Sequence, residues 1–562
     1  MGALSRVSRI VCMAALASLG VACGQSEPKT KPPAAAPLNF VIFLTDDQRW
    51  DTLWVMPLVT DRLARNGVTF ANAFVTDPEC CPMRASLHSG GYDTTSTEVL
   101  RNAAINGGMS RFNDKNTLAT TFNKAGWRTG FVGRYMHGYI PGYMPPGYDY
   151  WVANSYINAR DWNHLTQVTM ATRTAGVENV NIADVDQYVT DFHRDKALEF
   201  LRKGDKRPFY LLVAFYAPHE PHTPSPEDAD LFGAFTNSNP GVDEVDLTDK
   251  PAWMTGAAAA QAPLGDLCTT TTPRAALRSL QSVDRAVAAI IDEVEAAGEA
   301  DNTVFIFTSD NGLLWGEHGL PCEKGIAFEE SIRVPLVVRW PGKAGGTRAE
   351  MISVNLDVGA TLYEALEVPY GGDGLSLIQL LDGRADAWRT DLWLGNYGYL
   401  EANMKGGMLW SGMRRQTAVG TWKMVEYPTG EIELYDLIAD PYELTSVHAD
   451  ISLAALKAEM HTLIDAHRGL AIFDTPPPAG QVNQSFNFQP RTWGGTQPID
   501  WDLAFGTLPP GLDLNPTTGA ITGTPTTPGN FRIWLRARGQ RVATHSGNRE
   551  SYRREYVFSI AP

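Results

Sequence analysis

The chain has 562 residues, 44% hydrophobic and 20% charged, with a formal net charge of -16. Its length exceeds one ordinary domain, and its composition is that of a folded protein rather than a disordered one. The acidic balance excludes broad binding to nucleic acid or other polyanions, though not a small basic pocket for one anionic group.

Residues 1–23 read as an export signal. Arg6 and Arg9 precede an apolar run, Ile10 to Ala22, that is too short to span a bilayer. The run ends Leu19-Gly20-Val21-Ala22-Cys23-Gly24, which looks like a bacterial lipoprotein box. Lipidation at Cys23 is therefore expected, with ordinary signal cleavage as the alternative. The expected location is exported: periplasmic, membrane-anchored as a lipoprotein, or extracellular. Residues 24–37, rich in Pro, Ala and Lys, suit an extended tether.

From residue 38 onward, four short apolar runs read as buried strands: Asn39 to Leu44, Phe209 to Phe215, Thr303 to Phe307 and Pro335 to Arg339. Helical spacing lies between them, most clearly over Ala275 to Ala297, with Gly298 as a stop. Strands alternating with helices predict an α/β fold with the sheet covered on both faces. Composition changes near residue 470, so 38–470 is the expected main domain. Residues 471–480 read as a Pro-rich linker and 481–562 as all-β, because Phe531, Ile533 and Leu535 alternate among Gly and Pro turns. Leu508 to Pro525 resembles the immunoglobulin-like modules of bacterial secreted proteins. It reads as a spacer or adhesion module, with carbohydrate binding as the alternative.

The cysteines are Cys12, Cys23, Cys80, Cys81, Cys268 and Cys322. No CxxC spacing occurs, which argues against a zinc cluster and a disulfide-built scaffold. Cys268 and Cys322 could pair in an oxidising compartment; the sequence leaves this open.

Polar residues directly follow three of the strands: Thr45-Asp46-Asp47, Ala217-Pro218-His219 and Thr308-Ser309-Asp310-Asn311-Gly312. Strand ends of this kind bind ligands in open α/β sheets, and three of them predict one convergent site. Asp46-Asp47 and Asp310-Asn311 are hard oxygen donors suited to calcium or magnesium rather than zinc. Adjacent carboxylates repel unless a cation or solvent intervenes, so each pair alone also fits a solvated turn. In Cys80-Cys81-Pro82-Met83-Arg84-Ala85-Ser86-Leu87-His88-Ser89-Gly90, the proline predicts a helix beginning near Cys80. Arg84, one turn on, shares the face of Cys80. Alone, this start fits an anion site or a buried cysteine pair equally well.

Together these motifs resemble a type I sulfatase of the alkaline phosphatase superfamily, over roughly residues 38–468. Cys80-x-Pro82-x-Arg84 matches the formylglycine signature, and the doubled cysteine followed by Arg-Ala-Ser-Leu resembles the glucosamine-6-sulfatase branch. Further matches are Gly316-Glu-His-Gly-Leu320, Lys324-Gly325, Phe328 to Leu336, Leu434-Tyr435-Asp436-Leu437 and Asp440-Pro441-Tyr442-Glu443-Leu444. The resemblance implies a mixed, largely parallel sheet sandwiched by helices, a smaller C-terminal sulfatase subdomain, and an appended immunoglobulin-like sandwich. It implies a sulfuric ester hydrolase in which Cys80 is oxidised to an aldehyde by a formylglycine-generating enzyme and then hydrated. One hydroxyl attacks sulfur, the alcohol leaves, and the second hydroxyl helps expel sulfate. Asp46, Asp47, residue 80, Asp310 and Asn311 would hold calcium, or magnesium in its place. Asp310 would serve as base, Arg84 would hold residue 80 and Lys324 would hold a sulfate oxygen. His219 would contact sulfate or the leaving oxygen, while His318 and His222 rank behind it.

Two departures stand out. Met83 occupies a position where the signature has a small residue. Gly133-Arg134-Tyr135-Met136-His137 resembles the family's Gly-Lys-Tyr-Leu-Asn, with arginine replacing the lysine that contacts residue 80 and sulfate. The expected substrate is a sulfated carbohydrate or another sulfate ester. The alternatives are phosphonate monoester or phosphodiester hydrolysis on the same residue, or a non-catalytic surface lipoprotein that binds sulfated glycans.

Overall fold

The computed structural model describes residues 36–92, 97, 99–102, 107–154, 161–255, 272–385, 387–398, 409–473, 476–542 and 549–562. The export segment with Cys23, most of the tether, and Cys268 lie outside the described residues. Among the described residues no helix is long and apolar enough to cross a membrane. Cys322 is disulfide-bonded, whereas Cys80 and Cys81 are free.

The central sheet has ten strands: β1 (Asn39–Asp46), β2 (Val68–Phe74), β3 (Arg128–Arg134), β4 (Tyr150–Asn154), β5 (Leu165–Thr174), β6 (Val177–Val185), β7 (Phe209–Pro218), β8 (Thr303–Ser309), β9 (Leu336–Arg339) and β10 (Gly346–Ser353). Their order is β10-β2-β9-β8-β1-β7-β3-β4-β5-β6. The pairs among β8, β1, β7, β3 and β4 are parallel, whereas β9 and the β5–β6 hairpin run antiparallel to their neighbours. The fold is thus the expected mixed α/β sheet.

Strand alternation builds the two cores. Phe40, Ile42 and Leu44 of β1 pack on one face with residues from the helices Cys80–Ser89 and Val354–Ala365. Val41 and Phe43 pack on the other, against the helices Val189–Arg202 and Thr272–Ala296. The last is the helix expected from Ala275. Its apolar stripe, from Leu277 to Val294, lies wholly inside. Each such buried side chain contributes about 1.5–3 kcal/mol relative to exposure.

A four-stranded antiparallel sheet follows, β11 (Asp391–Asn396), β12 (Trp410–Gln416), β13 (Thr421–Glu426) and β14 (Ile432–Asp436), backed by the helix Ala454–His467. The C-terminal strands then form a four-stranded and a three-stranded sheet. Ile533, Leu535 and Ala537 face inward, as the alternation predicts. A tethered spacer would have a core of its own. Here Trp393, Met413, Met460 and Ile464 share one continuous core with Phe488, Trp501, Ile533 and Tyr556. Within the stretch read as a linker, Ala471–Ile472 pairs as a strand with Thr492–Trp493.

Candidate active site

Register brings the chemistry together. β1 lies between β7 and β8 with Asp46 opposite Pro218 and Thr45 opposite Ser309. The residues leaving these strands, Asp46-Asp47, His219 and Asp310-Asn311, therefore emerge at one edge. β3 ends beside them with Arg134. Gly133 permits this approach: at φ 123° a Cβ there would stand 1.9 Å from the Ala214 carbonyl oxygen.

The helix Cys80–Ser89 starts at the expected nucleophile position and closes at Gly90, whose φ of 83° is left-handed. The helix start carries partial positive charge at Cys80. The Cys80 thiol lies 3.5 Å from Asp46 Oδ1. It accepts from Lys324 Nζ at 3.1 Å and from Arg134 Nη2 at 3.5 Å. Arg84, one turn on, donates Nε to Asp310 Oδ2 at 2.8 Å and Nη2 to Asp46 Oδ2 at 2.9 Å. Arg134 also donates to Asp46, and Lys324 to Asp47. Asn311 Nδ2 donates to Asp47 Oδ1 at 2.6 Å, and the Asp47 N–H to Asp310 Oδ1 at 3.2 Å.

Three carboxylates thus interleave with three cations, all nearly buried. Such burial is tolerated only where charges pair closely. Burial would raise the Asp47 carboxyl, but the Lys324 charge and the hydrogen bonds from Lys324 and Asn311 outweigh it and hold the group well below the usual range. Burial, with Asp46 beside it, raises Asp310. Burial also lifts the Cys80 thiol well above its ordinary value despite Arg134, so the unmodified residue is a neutral thiol and a poor nucleophile.

His219 donates Nδ1–H to the Glu220 carbonyl at 3.0 Å, which leaves Nε2 facing Asp47 Oδ2 at 3.5 Å. Burial lowers its pKa to about 3, so the ring is neutral. His222 bonds the Pro218 carbonyl through Nδ1, and its Nε2 is buried without a hydrogen-bond partner among the described residues. His318 meets Glu244 Oε2 through Nδ1 at 2.5 Å, and its ring stacks on Phe328. Lys324, 19% exposed, is the most open of these side chains, against 7% for His219 and 2% for Arg84.

Donor atoms of Asp46, Asp47, Cys80 and His219 all lie within 4.8 Å of one another. Asn311 Oδ1 is buried and accepts no hydrogen bond among the described residues. An orphaned carbonyl beside clustered carboxylates fits a hard divalent cation.

Sequence reading missed several neighbours. Asn102 Oδ1 accepts the Cys81 N–H at 2.7 Å. Glu79 and Asn396 meet over Gly325, where a Cβ would stand 3.3 Å from Glu79 Oε1 and 2.9 Å from Asn396 Nδ2. Neither asparagine sits in a recognisable motif. His137 Nε2 pairs with Arg134 Nη2 at 2.9 Å, and burial lowers its pKa to about 2. The neutral ring is therefore the acceptor.

The family model for sulfatases matches residues 38–368, more than half of the chain. A model for the C-terminal region of N-sulphoglucosamine sulphohydrolase matches residues 316–469, and an Ig domain model matches 470–553. The chain is 28% identical over 476 residues to human N-acetylglucosamine-6-sulfatase, covering 77% of this chain and 83% of that one. It is 30% identical over 363 residues to the extracellular sulfatase SULF-1 homolog of Drosophila melanogaster, covering 63% of this chain but only 32% of the fly protein. The solved structure of BT4656 in complex with its substrate, D-glucosamine-2-N,6-O-disulfate, superposes with a TM-score of 0.60 at 22% identity, covering 76% of this chain and 97% of that one. By its sequence, its sheet and the residues gathered at the strand ends, the chain belongs to the sulfatase family.

Proposed function

We propose that the chain hydrolyses sulfate esters of glucosamine-containing carbohydrates. Residue 80 would be matured to formylglycine, with calcium held by Asp46, Asp47, Asp310 and Asn311. The observation that carries this reading is the contact set at position 80, where Arg134, Lys324 and Asp46 converge on one side-chain atom at a helix start. The matured side chain supplies the attacking hydroxyl. A bound divalent cation supplies positive charge where negative charge develops.

The chain's own residues do the rest. Asp310, raised by burial, is the group placed to take a proton near position 80. Arg84 ties Asp310 and Asp46 into one rigid unit, so the dipoles need no reorganisation during reaction. Lys324 reaches from the open side and holds a sulfate oxygen. His219, with its Nδ1 proton committed to Glu220, keeps Nε2 beside Asp47, where it would contact sulfate or the leaving oxygen. The glucosamine preference is supported by the names of the human relative and of the substrate bound to BT4656. Export is supported by the signal-like N-terminus and the extracellular fly relative.

Mass spectrometry of the residue-80 peptide from protein made in its native host should show cysteine converted to formylglycine. Matured protein should turn over sulfate esters faster than the matching phosphate and phosphonate esters. An unmodified thiol in fully exported protein overturns the mechanism, and a preference for phosphate esters overturns the substrate class.

A further inference from the structure

The C-terminal module is fixed against the catalytic domain by shared packing. Tyr397 stacks on Trp493 at 6.1 Å, the Arg468 guanidinium lies 4.6 Å over Trp493, and Arg554 Nη1 donates to the Ile472 carbonyl at 3.0 Å. Arg101 lies 5.3 Å over the Trp534 ring, so the module orients an arginine of the catalytic domain. At this junction a pocket is walled by Arg101, Arg111 and Tyr397 on one side and by Ser551, Tyr552 and Arg553 on the other.

The pocket adjoins the nucleophile along two separate stretches of chain. Arg101 precedes Asn102, whose Oδ1 takes the Cys81 N–H at 2.7 Å. Tyr397 follows Asn396, which meets Glu79 over Gly325. Arg101 and Tyr397 are thus each one peptide step, about 3.8 Å between Cα atoms, from a residue that contacts the start of the Cys80 helix. The stretches meet at Gly398, where a Cβ would stand 2.8 Å from the Leu100 carbonyl and 3.3 Å from Arg101 Cβ.

We infer that this pocket is a second anion subsite. It would take a further sulfate or carboxylate of a sulfated oligosaccharide whose scissile ester lies at residue 80, with the module supplying Arg553. Three arginines converging on one pocket in a chain of net charge -16 are suited to a planar, multiply hydrogen-bonded oxyanion. The inference rests on the sulfatase reading above.

The test compares full-length wild type, Arg553→Glu and Arg553→Lys on p-nitrophenyl sulfate and on a heparin-derived tetrasaccharide. Arg553→Glu should raise the tetrasaccharide KM by about tenfold or more and leave aryl sulfate kcat/KM within about twofold; Arg553→Lys should recover most of the loss. An unchanged tetrasaccharide KM overturns the subsite while the sulfatase reading stands. Equal losses on both substrates also overturn it, because that marks a structural role. If the wild type hydrolyses neither compound, the sulfatase reading has failed. Calorimetric titration of the tetrasaccharide into the same proteins then decides, and equal affinity for wild type and Arg553→Glu overturns the subsite.

Discussion

Arg134 and His137 depart together from the family's lysine and asparagine, and the structure shows that they form one unit. Arg134 spends one nitrogen on Asp46 and the other on His137 Nε2 at 2.9 Å and Cys80 Sγ at 3.5 Å. A lysine offers a single nitrogen, which cannot span both sides. Arg134→Lys should therefore abandon His137 or Asp46. A hydrogen bond to a charged group contributes about 1.5–3 kcal/mol, or roughly ten- to a hundredfold in kcat/KM if it acts in the transition state. His137→Asn alone should cost less, since the shorter amide frees the guanidinium without unpairing Asp46. The double variant Arg134→Lys/His137→Asn rebuilds the family pair and should lose less than the two single losses combined. The assay is kcat/KM on p-nitrophenyl sulfate for the four proteins, with formylglycine content measured in each so that maturation is not mistaken for catalysis. A coupling energy below about 0.5 kcal/mol would mean that the two positions act independently and that the hydrogen bond is incidental.

Lys423 is fully buried against Glu443 at 2.5 Å and the Ala327 carbonyl at 2.6 Å, so Lys423→Met should cost about 3–5 kcal/mol in urea unfolding by stranding that carboxylate. A loss under about 1 kcal/mol would show the pair to be dispensable. Chelator treatment should lower the thermal midpoint and added calcium should restore it, by about 2.7 kcal/mol at a hundredfold excess over Kd; a midpoint indifferent to both would contradict the metal reading. His193 is buried beside Tyr216, and burial lowers its pKa from 6.5 to about 3. The unfolded chain then binds the extra proton, so stability present above pH 6.5 is lost as pH falls toward 3, at about 1.4 kcal/mol per unit. Between pH 7 and 5, His193→Phe should remove roughly 2 kcal/mol of that loss, and an unaltered pH dependence would place the proton elsewhere.

The site was legible wherever a local rule fixed a residue's position. Pro82 and Gly90 bracket the Cys80 helix, and its observed limits follow from them. Parallel strands carry their exits to one edge, which is why Asp46, His219 and Asp310 could be grouped before any coordinates. What stayed hidden depends on distant partners. The strand Val68–Phe74 mixes buried and open positions because it lies next to the edge strand β10 and meets the short β9 only briefly, so it shows no clean period. His318 sits at φ 55° and turns toward Glu244, 74 residues away, a contact that motif position does not reveal. The alternation in the C-terminal module showed which faces are inward. It could not show that Trp493 would meet Tyr397, because a flat aromatic contact leaves no periodic trace.

Charge places the specificity away from the sulfur. Asp46, Asp47 and Asp310 are matched by Arg84, Arg134 and Lys324, so these six side chains come near to cancelling. A divalent cation held there would leave a positive surplus suited to any tetrahedral oxyanion. A sulfate monoester or a phosphodiester, each carrying one negative charge, would be held by the same contacts. Discrimination among sulfate esters must then come from the alcohol side, as a difference between affinities rather than a stronger grip on the common group. On that side the family pattern changes at His137, and the C-terminal module walls a nearby pocket at Ser551, Tyr552 and Arg553. Substitutions at the carboxylates should therefore depress turnover of every ester alike, whereas substitutions at His137 or Arg553 should reorder the substrates. Profiling one variant of each kind across aryl, monosaccharide and oligosaccharide sulfates separates the two effects. A uniform loss from Arg553→Glu across all three would return specificity to the sulfate-binding contacts.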